Sequence, residues 1–210
     1  DTRFDRVYSQ LEINNNLAFI SEFKGDNLCV VAGSTWLADE SLFINYINTK
    51  APESIKFIIA PHNINNTLIK HLIEKLNTKT ILFSEKQKKD LTKAQVLIID
   101  TIGLLSKIYS YADVAYVGGG FSTGLHNTLE PAVFGIPVII GPHYKGFQEA
   151  EDLVSQNGII SVHDNWSFSE ALKKLINKPI QLKKIGEINA LYINKNKGAV
   201  TQILDYLNIK

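Results

Sequence analysis

The residues best suited to chemistry form one tight group in the second half of the chain. Gly118, Gly119 and Gly120 follow a short apolar run, and Gly124 precedes His126-Asn127-Thr128-Leu129-Glu130-Pro131. Glycines permit close backbone approach and positive φ. Asn127 or Thr128 can cap a helix that starts here. Such a start aims free N–H groups and the positive end of a dipole at an anion, which suits a phosphate. Glycines alone are explained equally well by a tight strand–helix turn without ligand. The polar His126-Asn127-Thr128 cluster beside them favours the phosphate site. Glu130 falls in the first turns of that helix, where a carboxylate can accept hydrogen bonds from two ribose hydroxyls. Complementing the helix dipole would be reason enough for it without any ligand. Pro131 suits an early helical position, whose N–H is not needed.

A second group lies at other expected strand ends. Ser34 and Thr35 sit between a strand and a helix, so Thr35 is expected to cap the helix and can also offer its hydroxyl to a phosphate. Asp39 and Glu40 then read as first-turn acids rather than catalysts. His62, His126 and His143 read as hydrogen-bonding or loop residues, because their spacing matches no metal-ligand signature. The spacing Gly118-x-Gly120-x-x-x-Gly124 is not the dinucleotide fingerprint, and the next strand ends without an acidic residue for a ribose. No Lys-Ser or Lys-Thr closes a phosphate loop, and no Gly-x-Ser-x-Gly elbow is present. NAD enzymes, ATPases and serine hydrolases are disfavoured.

The elements that must carry these residues alternate along the chain. Strands are expected at 28–32, 55–60, 80–83, 96–99, 114–117, 137–140 and 159–162. Helices are expected at 37–47, 67–76, 104–111, 129–134, 148–154, 168–176 and 188–207. Strands separated by helical stretches imply βαβ units and a parallel sheet covered on both faces. The ligand crevice of such a sheet lies at the carboxyl ends of its strands. Asp1–Asn16, polar and ending in asparagines, reads as a connector or peripheral helix rather than core.

Composition limits the function class. The 210 residues are 45% hydrophobic and 20% charged, with 22 basic and 21 acidic side chains and a net charge of +1. These are globular values, and the charge balance gives no sign of a nucleic-acid binder. No run is apolar and long enough to span a bilayer. The Lys86–Lys93 segment carries Asp90 and follows Glu85, and it reads as a solvated face. Cys29, the single cysteine, lies in an apolar run and reads as a buried, inert thiol. The chain contains no Met and begins at Asp1, so a fragment or processed product is expected.

Taken in order, Asp1-Thr2-Arg3-Phe4-Asp5-Arg6-Val7, Gly33-Ser34-Thr35 with Glu40, Ala60-Pro61-His62, Asp100-Thr101-Ile102-Gly103, Gly118-Gly119-Gly120, His126-Asn127-Thr128-Leu129-Glu130-Pro131 and Gly141-Pro142-His143 form a specific set. Over essentially the whole chain this set resembles the C-terminal half of 3-deoxy-D-manno-octulosonic acid (Kdo) transferases, glycosyltransferases of bacterial lipopolysaccharide synthesis. The resemblance implies one Rossmann-like α/β domain, the C-terminal half of a GT-B fold. Residues 1–16 would be the interdomain connector and 17–210 the nucleotide-sugar-binding domain, with the acceptor domain absent. Ser34, Thr35, Pro61, His62, Thr101, Ile102, Gly103, Gly118, Gly119, Gly120, His126, Asn127, Thr128, Leu129 and Glu130 would line the CMP-Kdo site. His62 stands where the family commonly has arginine, and Thr128 replaces a proline. The loop before His126 is one residue shorter than in the commonest form.

The reaction implied is transfer of Kdo from CMP-Kdo to a lipid A precursor hydroxyl, without metal or other cofactor. The catalytic base would lie in the missing N-terminal domain, so this chain alone would bind donor without turnover. The resemblance places the full-length protein at the cytoplasmic face of the bacterial inner membrane and this chain in solution. In GT-B proteins the last helix often crosses to the other domain, so exposed apolar surface is expected within 188–207. Two alternatives remain. One is another GT-B glycosyltransferase or a UDP-sugar epimerase, preferring UDP. The other is a degenerate, non-catalytic GT-B module that binds no nucleotide.

Overall fold

The computed structural model describes residues 1–122 and 124–207; residues 208–210, the end of the expected domain, lie outside them. Seven strands form one parallel sheet in the order β3-β4-β2-β1-β5-β6-β7. They are β1 Leu28–Thr35, β2 Ile55–Pro61, β3 Thr80–Leu82, β4 Val96–Ile98, β5 Val114–Val117, β6 Val138–Ile140 and β7 Ile159–Ser161. The period of two explains why these runs are almost continuously apolar. Cys29, Val31, Ile58, Leu97, Ala115, Val117, Val138 and Ile140 enter one buried cluster. Their neighbours Val30, Ala32, Phe57, Ile59, Val96, Ile98, Val114, Tyr116 and Ile139 enter another on the opposite face.

Helices cover both faces. One face receives Phe4 and Val7 of α1 (Arg3–Tyr8), Ile20 and Phe23 of α2 (Ala18–Lys24), Ile108 of α5 (Leu105–Ile108), Leu129 of α6 (Leu129–Ala132) and Leu153 of α7 (Gln148–Ser155). The other receives Phe43 and Tyr46 of α3 (Leu37–Thr49), Ile69 and Leu72 of α4 (Asn66–Lys75) and Phe168 and Leu172 of α8 (Asn165–Ile176). Cys29 is fully buried, and burial pushes its thiol up to about 12, as an inert core thiol requires.

Three expectations change. The first segment is not wholly peripheral, because Phe4 and Val7 are core residues. Arg3 of the same helix grips the buried Glu149 through both carboxylate oxygens, at 2.8 and 3.1 Å. The helix after the Gly-rich turn is one four-residue turn, not 129–134. Gly135, at φ 67°, leaves the helical region just beyond it. The last helical pattern breaks into α9 (Pro179–Asn196) and α10 (Ala199–Tyr206) at Gly198, whose φ is 107°. Asp5 accepts the freed Gly198 and Val200 N–H groups at 2.6 and 3.2 Å. No residue of α10 is buried, and Val200, Ile203 and Leu204 are 40–48% exposed, the apolar surface expected here. No helix among the described residues is long and apolar enough to cross a membrane.

Candidate functional site

The strand order reverses between β1 and β5, since β2 and β5 flank β1 on opposite sides. That switch point opens a crevice at the carboxyl ends of the strands. Three loops meet there, after β1, β2 and β5. The β1 loop begins with a distortion. Ser34 has φ 53° and the β1–β2 register shifts between Gly33 and Thr35. The extra residue lets Thr35 pair with Pro61 as the last residue of β1 and passes the N-cap position of α3 to Trp36. His62 N–H closes the β2 loop onto Thr35 O at 2.9 Å.

Asp39 fastens the β1 and β5 loops together from below. It is 1% exposed and accepts Trp36 N–H at 2.9 Å, Gly119 N–H at 3.0 Å and the Tyr116 hydroxyl at 2.5 Å. The Tyr116 phenol is pushed up by burial, with the Asp39 charge adding to it. Glu40, 6% exposed, is raised by burial, opposed by the Thr35 hydroxyl that it accepts at 3.1 Å. Above these carboxylates Trp36, His62 and His126 stack. Their ring centroids are 4.6 Å apart for Trp36–His62 and 4.5 Å for His62–His126. Trp36 Nε1–H also donates to His126 Nε2 at 3.1 Å. On the far side of His126, Asn127 Oδ1 accepts the Leu129 N–H at 3.1 Å and Asn127 Nδ2 donates to Glu130 Oε1 at 3.3 Å. Burial raises Glu130, while Asn127 and the charge of Arg6 oppose the rise. Among the described residues no group of three or more His, Cys, Asp or Glu side chains is arranged to hold a metal ion.

No protein-family profile matches the chain. The 3-deoxy-D-manno-octulosonic acid transferase of Haemophilus influenzae is 27% identical over 191 residues, 88% of this chain and 44% of that protein. The transferase of the same description from Aquifex aeolicus is 28% identical over 193 residues, 86% of this chain and 53% of that one. This chain is similar to the Kdo transferases. It spans about half the length of the curated relatives it matches. The C-terminal CMP-Kdo binding domain of WaaA from Acinetobacter baumannii shares its fold, with a TM-score of 0.72 at 21% identity over 93% of this chain and 100% of that one. The fold is therefore that of a GT-B glycosyltransferase domain, as the Kdo transferase resemblance implied.

The residues that this resemblance marked all fall at the carboxyl edge, but in different settings. Ser34, Pro61, His126, Asn127 and Glu130 are half-buried, and His62 is exposed. Thr101, Ile102 and Gly103 follow β4, two strands from β1, and Ile102 is 84% exposed. Leu105 of α5 and Tyr109, in the turn just after it, lie over Gly33. Thr128 and Leu129 are buried, so their side chains belong to the packing beneath the loop. Thr35 does not cap α3 as expected, and its one hydroxyl proton goes to buried Glu40. Gly118, Gly119 and Gly120 are buried as well. A Cβ on Gly118 would strike the Ser34 backbone and one on Gly120 the Gly141 backbone, so protein packing alone already requires glycine at both positions. The anion argument also weakens, because a single helical turn sums few peptide dipoles. His143, exposed, donates its N–H to Gly120 O at 2.8 Å.

Trp36 was missed, and Asp39 was read only as a first-turn acid. Trp36 follows Ser34-Thr35 directly, so the rule that strand ends face the crevice covers it. Asp39 stands three residues after Trp36, the spacing at which a first-turn side chain reaches back to the cap N–H.

Proposed function

We propose that this chain is the donor-binding domain of a glycosyltransferase that moves Kdo from CMP-Kdo to a hydroxyl of a lipid A precursor in lipopolysaccharide synthesis. Similarity to Kdo transferases across 88% of the chain is the observation that carries the reading. In this reading residues 1–16 lead from an N-terminal acceptor domain, and 17–210 bind the nucleotide sugar. The acceptor domain supplies the base that deprotonates the attacking hydroxyl. The full-length protein works at the cytoplasmic face of the inner membrane.

The half-buried side chains around the crevice suit this task. Glu130 takes the ribose hydroxyls, with Asn127 holding its carboxylate in place at 3.3 Å. Pro61 and His62 border the cytidine from the β2 side, and Thr101, Ile102 and Gly103 from the β4 side. Ser34, His126 and Asn127 face the phosphate and the Kdo. Because α6 is one turn long, hydrogen bonds rather than a dipole supply most of the stabilisation of the departing phosphate.

Calorimetric titration with CMP, using UDP and AMP as controls, tests the reading. CMP is expected to bind in preference to both, and Glu130→Ala to weaken it about 10- to 100-fold through loss of charge-assisted hydrogen bonds. A preference for UDP would assign the chain to another GT-B enzyme. Kdo transfer by the chain alone would refute the assignment of the base to another domain.

A further inference from the structure

The Trp36–His126 contact fixes a protonation state. A neutral imidazole has one donor and one acceptor nitrogen, whereas an indole N–H can only donate. The 3.1 Å bond from Trp36 Nε1–H therefore makes His126 Nε2 the acceptor and leaves the ring proton on Nδ1. The same edge of the ring is turned inward, since His126 Cδ2 would lie 3.1 Å from a Cβ on Gly119. The Nδ1 edge is thus opposite to Trp36 and Gly119. Trp36 itself is fixed on three sides. Its N–H is bonded to Asp39 at 2.9 Å, its ring stacks on His62, and its indole lies within 9° of parallel to His126.

We infer that Trp36 is a positioning residue that holds His126 as the neutral Nδ1–H tautomer, so that the crevice offers the donor's phosphate a directional, uncharged hydrogen bond instead of a cation. The identity of the ligand rests on the function proposed above; the state of the ring does not. The charged and titratable groups facing His126 are His62, stacked on it, and Asp39 beneath the loop. Burial and His62 lower the His126 pKa, and Asp39 opposes them. Protonation would place a second proton at Nε2 against the indole N–H, so the hydrogen bond itself favours the neutral ring.

The test is nitrogen NMR of the histidine-labelled chain across pH, with Trp36→Phe as the variant. Phenylalanine keeps a ring for His62 to stack on and lacks the donor. Wild-type His126 is expected to show protonated Nδ1 and bare Nε2 at neutral pH, and to titrate below an ordinary histidine. In Trp36→Phe the proton is expected to move toward Nε2, and the midpoint to rise by about half to one pH unit, the equivalent of one neutral hydrogen bond. Taken relative to wild type at each pH, so that the ionisation of the CMP phosphate cancels, CMP affinity of the variant should strengthen on acidification. A wild-type Nε2–H tautomer, or a variant whose His126 titrates unchanged, overturns the inference. If Trp36→Phe does not fold, the wild-type tautomer and slow exchange of the Trp36 indole proton decide the matter. A wild type with the expected tautomer but no CMP binding refutes the proposed function and leaves the Trp36–His126 assignment standing.

Discussion

Asp39 makes the sharpest stability prediction. Its carboxylate accepts three hydrogen bonds, from Trp36 N–H, Gly119 N–H and the Tyr116 hydroxyl. Asp39→Ala leaves all three donors without that acceptor. The Tyr116 and Gly119 donors are buried, and an unsatisfied buried donor costs about 1–3 kcal/mol. The Trp36 N–H lies nearer water, so its loss costs about 1 kcal/mol, as for a missing N-cap. The expected total is about 3–7 kcal/mol, which approaches the whole stability of many domains. Asp39→Asn is the readable variant. An amide oxygen can keep both backbone N–H groups, and the amide nitrogen can donate to the Tyr116 oxygen once that hydroxyl turns. The charge assistance is lost, about 1–2 kcal/mol, and the buried Tyr116 proton loses its acceptor, about 1–3 kcal/mol more. Urea unfolding followed by tryptophan fluorescence and by circular dichroism gives both values, and coincident curves justify a two-state fit. A cycle with Tyr116→Phe should show coupling of about 0.5–3 kcal/mol. If Asp39→Ala costs less than about 1 kcal/mol, Asp39 does not fasten the two loops and the account of the site is wrong.

Two other perturbations address the same edge of the sheet. Glu40 is raised by burial, so its folded state binds a proton more readily than the unfolded state. Its favourable contribution is fully present below about pH 4.3, the unfolded value, and is lost as pH rises through the folded one. Glu40→Gln, which can still accept from Thr35, should therefore be more stable than wild type at pH 7, with the gain vanishing toward pH 4 in pH-dependent unfolding. An equal gain at both pH values would show that ionisation is not the cause. Gly118→Ala should cost about 3 kcal/mol or more, because its Cβ meets Ser34 backbone that cannot rotate away. Gly103→Ala, with open space but φ 86°, should cost only about 1–2 kcal/mol, and equal losses would refute the packing argument.

The layered fold was legible because buried parallel strands are written as short apolar runs. Val30 and Val31 both had to be apolar, since one faces each cluster. Helix ends were less legible. The apolar pattern at 129–134 continues through the turn after α6, because Val133 is buried there without being part of a longer helix. Periodicity reports which residues are covered, not which backbone hydrogen bonds continue. Likewise one helical pattern spans α9 and α10, and only Gly198 marks the break.

At the site, ambiguity came from residues that serve two purposes equally well. A glycine that admits a phosphate and a glycine that admits a neighbouring strand are the same letter. Gly118 and Gly120 turned out to admit Ser34 and Gly141, facts of tertiary approach that no local window contains. Thr35 shows the converse. Its type and place argued for a cap, but the left-handed Ser34 ahead of it extended β1 by a residue and moved the cap to Trp36. That shift changes the chemistry of the crevice. It buries the Thr35 hydroxyl against Glu40 and places Trp36 where its ring stacks on His62 and its indole N–H reaches His126. A one-residue backbone irregularity thus replaces a hydroxyl donor with an aromatic clamp. A residue at 34 that disfavours positive φ, such as Val, should undo the exchange and release the Trp36 indole from His126.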